Sequence, residues 1–251
     1  MQIFPICQEP SVSWCLFANE QNTFCAGDPF PAWHVAAALS EVHRAFQQIF
    51  GEEIVSSHPL LSVIYNEEGP VCFSMQALIF LSAANDISLF RHIYQFSHEL
   101  CHFMVIGKVC KSYRWLEETL CQMMSWYVFL RIYHSRNTAP CEVLSENYHE
   151  IPPYLNRDIN RARLDGIPIS EFVLRNLNHL QKECYDRDAN SFIARGLFPL
   201  FVNRPELWHI VPFLGKIEDS TPLNDAIRSI VKCAGLPPVV GNLLHQRLIG
   251  Q

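Results

Sequence analysis

His98, Glu99 and His102 lie within QFSHELCHFMVI, an otherwise apolar run from Gln95 to Ile106. Residues four apart on an α-helix sit one turn above each other, so the two imidazoles project side by side and can be offered to one metal ion. Glu99 is rotated about 100° from His98 around the helix axis. It can reach a water held by such an ion without being a ligand itself. This is the H-E-x-x-H arrangement, in which the glutamate acts as base toward the water. With 11 His and 17 Glu in 251 residues, chance places the pentapeptide in roughly three of every hundred such chains. Its surroundings therefore carry more weight. Phe90, Ile93, Phe96, Leu100 and Phe103 make the segment apolar, and three ionisable groups there are costly unless something pairs with them. The bland alternative is a helix whose histidines are satisfied by hydrogen bonds in a core.

Two histidines leave a zinc site one protein ligand short. After a glycine turn, WLEE opens a second helix, with 14 residues between His102 and Glu117 and 15 between His102 and Glu118. An antiparallel helix pair joined by a short loop returns those first turns toward the motif. Three, four and seven residues beyond Glu118 come Cys121, Gln122 and Ser125, all small or polar; beyond Glu117 come Leu120, Cys121 and Met124. A face lying close against the metal helix should be small near the ligand, which favours Glu118. Glu117 is then a supporting or surface residue, and a carboxylate not used as ligand still offsets the helix macrodipole.

These residues need elements to position them. AWHVAAALSEVHRAFQQIF (32–50) repeats apolar residues at helical spacing and stops at Gly51. LLSVIY (60–65), the turn NEEGP and VCFSM (71–75) predict a hairpin, and ALIFLSA (77–83) a further strand. Asn85 or Asp86 can cap the motif helix, expected from about Ile87 to Ile106 with Gly107 as its stop. The second helix is expected over 115–133. The polar, proline-bearing stretch 134–154 marks a boundary, after which helical patterns such as ISEFVLRNLNHLQKE dominate. Thr221 and Pro222 are placed to cap and open a late helix. The expected fold is α+β, with a small, mainly antiparallel sheet confined to the first half. Its parts are an irregular segment 1–31, a core at 32–140 and a helical subdomain at 141–251.

Hydrophobic residues make up 49% and charged ones 18% of the chain, a globular balance. Residues 1–150 carry 15 acidic and 7 basic side chains, a net −8, while 151–251 carry 10 and 12, a net +2. An acidic first part argues against nucleic acid as partner. No run reaches the length needed to span a bilayer. The first basic residue is Arg44, and Pro5 and Pro10 break the N-terminal stretch, so no secretory signal is read. Ten scattered cysteines without a CxxC pair are expected as free thiols in the cytoplasm.

HExxH followed by a glutamate on a later helix resembles the gluzincin metallopeptidases. WLEE followed by Cys121 resembles their W-L-x-E segment, and the short spacer and compact strand–helix–helix layout are closest to minimal gluzincins and the ImmA/IrrE type. The similarity covers roughly Ala32 to Tyr133. It implies a zincin-like core holding one zinc ion on His98, His102 and Glu118, with Glu99 as catalytic base, acting on peptide or protein substrates. It also implies that the strand before the motif helix, here ALIFLSA, pairs with an extended substrate. Cys101 stands where members often have glycine, which brings a thiol near the metal. Gln122 stands where thermolysin-like members have an aspartate; it can hold an imidazole by hydrogen bond, without charge.

The implied chemistry is hydrolysis by metal-activated water, with Glu99 taking the water proton and passing it to the leaving amine. Related enzymes stabilise the oxyanion with a downstream tyrosine or histidine, and Tyr148, His149 and Tyr154 are the candidates. Lys108, Lys111 and Arg114 suit the C-terminal end of the motif helix. The competing expectation is a non-catalytic or regulatory binding module on the same fold, with a structural or inactive metal site.

Overall fold

The computed structural model describes residues 1–9, 12–24, 29–82, 89–161 and 166–250. The protein is α+β, mostly helical, with one mixed five-stranded sheet. It forms two compact units, Met1–Phe103 with Met124–Leu155, and Met104–Met123 with Asn156–Gln251.

The sheet lies in the first unit, in the order β1-β2-β3-β5-β4. β1 (Gln2–Glu9) and β2 (Val12–Ala18) pair antiparallel. Residues 1–31, expected to be irregular, therefore contribute two strands. In VSWCLFA the alternating Val12, Trp14, Leu16 and Ala18 are buried, a period of two that belongs to a half-covered strand. Pro5 is tolerated because β1 is an edge strand, and its register shifts between Pro5 and Cys7.

β3 (Leu60–Tyr65) pairs parallel with both β2 and β5 (Leu78–Leu81), while β4 (Val71–Phe73) pairs antiparallel with β5. This corrects two expectations. The sheet is mixed rather than mainly antiparallel, and LLSVIY and VCFSM do not pair with each other. A 3-10 turn at Ser74–Gln76 and Ala77, in the left-handed region at φ 49°, fold β5 back beside β4 instead. The physical reason is burial: Ile79 and Leu81 need cover on both sides, whereas three-residue β4, with Phe73 44% exposed, suits an edge. ALIFLSA is thus an inner strand, and the free edge on that side belongs to β4.

α1 (Ala32–Phe50) ends at Gly51 as its sequence predicts, and α2 (Glu52–Ser56) follows. α1 packs on β1 and on α3 (Phe90–Phe103), which also packs on β4 and β5. The start expected for α3, with its Asn85 or Asp86 cap, lies outside the described residues. α4 (Arg114–Ser135) is one unbroken helix whose second half belongs to the first unit. Phe90 and Phe129 meet edge to face at 5.5 Å.

The second unit is helical. α5 (Ile151–Ile159) leads into it, followed by α6 (Ile169–Lys182), α7 (Arg187–Asn203), a 3-10 run at Pro205–Lys216, α8 (Leu223–Cys233) and α9 (Pro238–Ile249). Asp186 caps α7 by accepting from the Ala189 N–H at 3.1 Å, and its other oxygen meets His179 Nε2 at 2.9 Å. α8 begins one residue later than expected, with Pro222 rather than Thr221 at the cap. Among the described residues no helix is long and apolar enough to cross a membrane.

Candidate metal centre

α3 is held on two sides. Its core face carries Ile93, Phe96 and Leu100, all fully buried. The Gln95 amide accepts from the Ser82 N–H at 2.9 Å and donates to the Ser82 carbonyl at 3.3 Å, which fastens the helix to the chain leaving β5. On the other side, Ser125 of α4 donates to the Tyr94 carbonyl at 3.1 Å. Both residues belong to the first unit. Cys121 lies one turn earlier on the same helix.

There the side chains converge. The ligand atoms of His98, His102 and Cys121 all lie within 4.8 Å of one another. The two imidazoles stand with centroids 5.1 Å apart and planes at 64°, the i,i+4 relationship expected of the motif. Both histidines are half-buried and Cys121 is 1% exposed. Glu99, between the histidines in sequence, is 6% exposed.

Two imidazoles and a thiol are zinc-type donors. Bonds of about 2.0–2.1 Å to nitrogen and 2.3 Å to sulfur put tetrahedral donors about 3.5 Å apart. Separations within 4.8 Å differ from that by about an ångström, the scale of small side-chain torsions. The group fits a divalent ion of borderline softness.

The other expected site residues fall in different places. Glu118 lies in the turn before Cys121, outside the group of three, with Glu117 beside it. Gln122 exchanges hydrogen bonds with Ser191 of α7, at 2.8 and 3.2 Å, so its amide is turned to the second unit's own helices. Cys101 is buried and is not a member of the group.

Tyr148, His149 and Tyr154 are not brought to the histidines. Tyr148 hydrogen-bonds the Cys141 backbone, and with His149 it lines an open pocket that includes Tyr133 and Arg136. Tyr133 follows Cys121 by 12 residues, about 18 Å along α4. The Tyr154 ring packs on Phe129 at 5.1 Å and Phe90 at 5.4 Å, about two turns from the group on each helix.

One residue at the site was missed by sequence reasoning. Cys121 was weighed only for its small size, although its place three residues after Glu118 puts both on one face and thiolate is a leading zinc donor. Tyr185, 66% exposed, stands beside the first turns of α4. Its phenol is raised above its ordinary value, by burial first and then by the Glu118 carboxylate. It lies in the short α6–α7 connection, which carries no motif. Comparison with protein-family models, curated proteins and solved structures gives no match to this chain.

Proposed function

We propose that this chain is a zinc-dependent peptide hydrolase whose centre is built on α3 and α4. One observation carries this: the two imidazoles of HExxH converge with a donor from α4. His98 and His102 are the first two ligands. The helix register supports Glu118 as the third. Cys121 stands within reach of His98 and His102, and Glu118 lies one turn before Cys121 on the same stripe of α4. Glu117 is turned about 100° away.

A zinc ion in such a site supplies Lewis acidity and renders water acidic near pH ~7. The remaining work falls to the chain. Glu99, shielded from solvent, accepts the proton of the attacking water and delivers it to the leaving amine. β4 packs on α3 and is the edge strand of the sheet among the described residues, so an extended peptide can add there as a strand. Cys15, Cys101, Cys110, Cys141, Cys184 and Cys233 are thiols outside any disulfide, which fits a reducing cytoplasm.

A second reading, a non-catalytic metal-binding module, is favoured by one observation. Cys121 is a possible extra donor, and structural zinc sites are closed by four protein ligands. A quenched-fluorescent peptide library, incubated with zinc-loaded protein, separates the two. For the hydrolase, Glu99→Gln lowers turnover by about 10²–10⁴-fold while bound zinc is retained. Hydrolysis unchanged by Glu99→Gln, or absent from zinc-loaded wild type and zinc-loaded Cys121→Ala alike, supports the module.

A further inference from the structure

We infer that Cys121 is the lock of this metal centre: its thiolate takes the coordination position that hydrolysis needs open. The inference rests on the proposed hydrolase site and concerns its regulation. A hydrolytic zinc site keeps three protein ligands and one open position. With Glu118 as the proposed third ligand, the thiol makes a fourth donor. His98, His102 and Cys121 already stand within 4.8 Å of one another. Glu118 lies three residues before Cys121 on α4, and i,i+3 residues share a helix face about 5–6 Å apart.

The thiol is not a chance neighbour. Cys121 is 1% exposed, directed at the two imidazoles from a helix whose register is fixed one turn away by the Ser125–Tyr94 bond. Cys101, equally buried and between the two histidines, is not gathered into the group. A thiolate is a softer and stronger ligand for a borderline ion than water is. With Cys121 bound the coordination sphere is complete and the centre is latent. When it leaves through a side-chain torsion, His98, His102 and Glu118 remain and one position opens.

Cobalt(II) reports the ligands without reference to activity. Wild-type protein loaded with one cobalt is expected to show an intense near-ultraviolet thiolate-to-cobalt band, and visible bands that added azide leaves unchanged. Cys121→Ala is expected to keep the cobalt, lose the near-ultraviolet band and change its visible bands with azide. Cys121→Ser serves the same purpose if the alanine variant fails to fold. Wild-type protein that holds cobalt without the thiolate band, or that answers azide as the variant does, overturns the lock and leaves the hydrolase proposal standing. Wild-type protein that binds no cobalt overturns both. A thiolate band in wild type, with peptide hydrolysis in the Cys121→Ala background indifferent to Glu99→Gln, supports the ligand and overturns the hydrolase alone.

Discussion

Ser125 donates its hydroxyl to the carbonyl oxygen of Tyr94 at 3.1 Å, so the side chain that spaces α3 from α4 also sets their register. Ser125 is fully buried, on a stripe that is also small one turn earlier at Cys121. Close approach of the two helices depends on that stripe. Ser125→Leu inserts bulk between them and is expected to destabilise the protein by about 1–3 kcal/mol. It should also weaken metal binding, because Cys121 moves with the helix. Urea denaturation and a metal titration on the same variant check both effects. A fall in stability with unchanged metal affinity would show that the register is set elsewhere.

Tyr113 makes stability sensitive to alkaline pH. Its hydroxyl donates to the Thr221 carbonyl at 2.5 Å. The phenol is pushed up to about 12, by burial first and then by the Cys110 and Asp225 charges. An unfolded tyrosine ionises near 10. Between roughly pH 10 and 12 the unfolded chain therefore gives up a proton that the folded chain keeps, and stability falls as pH rises. Below that window the contribution is complete. Tyr113→Phe removes this part of the slope, so denaturation profiles of wild type and variant should converge as pH climbs through the window. Parallel profiles would contradict the assignment.

Gly215 is a packing requirement in the second unit. A Cβ built there would approach the Ile106 carbonyl oxygen to 2.3 Å and the Gly107 carbonyl carbon to 3.1 Å. Both are backbone atoms, and the Ile106 N–H is itself bonded to the Pro212 carbonyl at 2.9 Å, so neither strand of chain can yield cheaply. Gly215→Ala is expected to cost about 1–3 kcal/mol in chemical denaturation. Gly235→Ala offers a contrast. There a Cβ meets nothing within 4 Å and the cost arises only from φ +64°, about 1 kcal/mol or less.

The helices around the site were legible because their signals are local. α1 carries its apolar stripe and its glycine stop within the same 20 residues, and the HExxH spacing needs only the helical repeat. The WLEE helix was legible in the same way. The sheet was not, because pairing depends on partners distant in the chain. Nothing local to LLSVIY says that VSWCLFA, more than 40 residues earlier, will lie parallel beside it. Nothing in VCF says that LIFL will displace it from the inner position. Cys121 shows the same limit at the site. Its place on the stripe was visible in the sequence, whereas the nearness of its sulfur to both imidazoles follows from how two helices approach in space.

The central claim is that α3 and α4 hold one metal ion through the motif histidines. Elemental analysis of protein purified under metal-replete conditions tests it most directly. The account predicts close to one zinc per chain, lost on His102→Ala in protein that remains folded. A folded, metal-replete wild type without stoichiometric metal, or a His102→Ala variant that keeps its zinc, would contradict it.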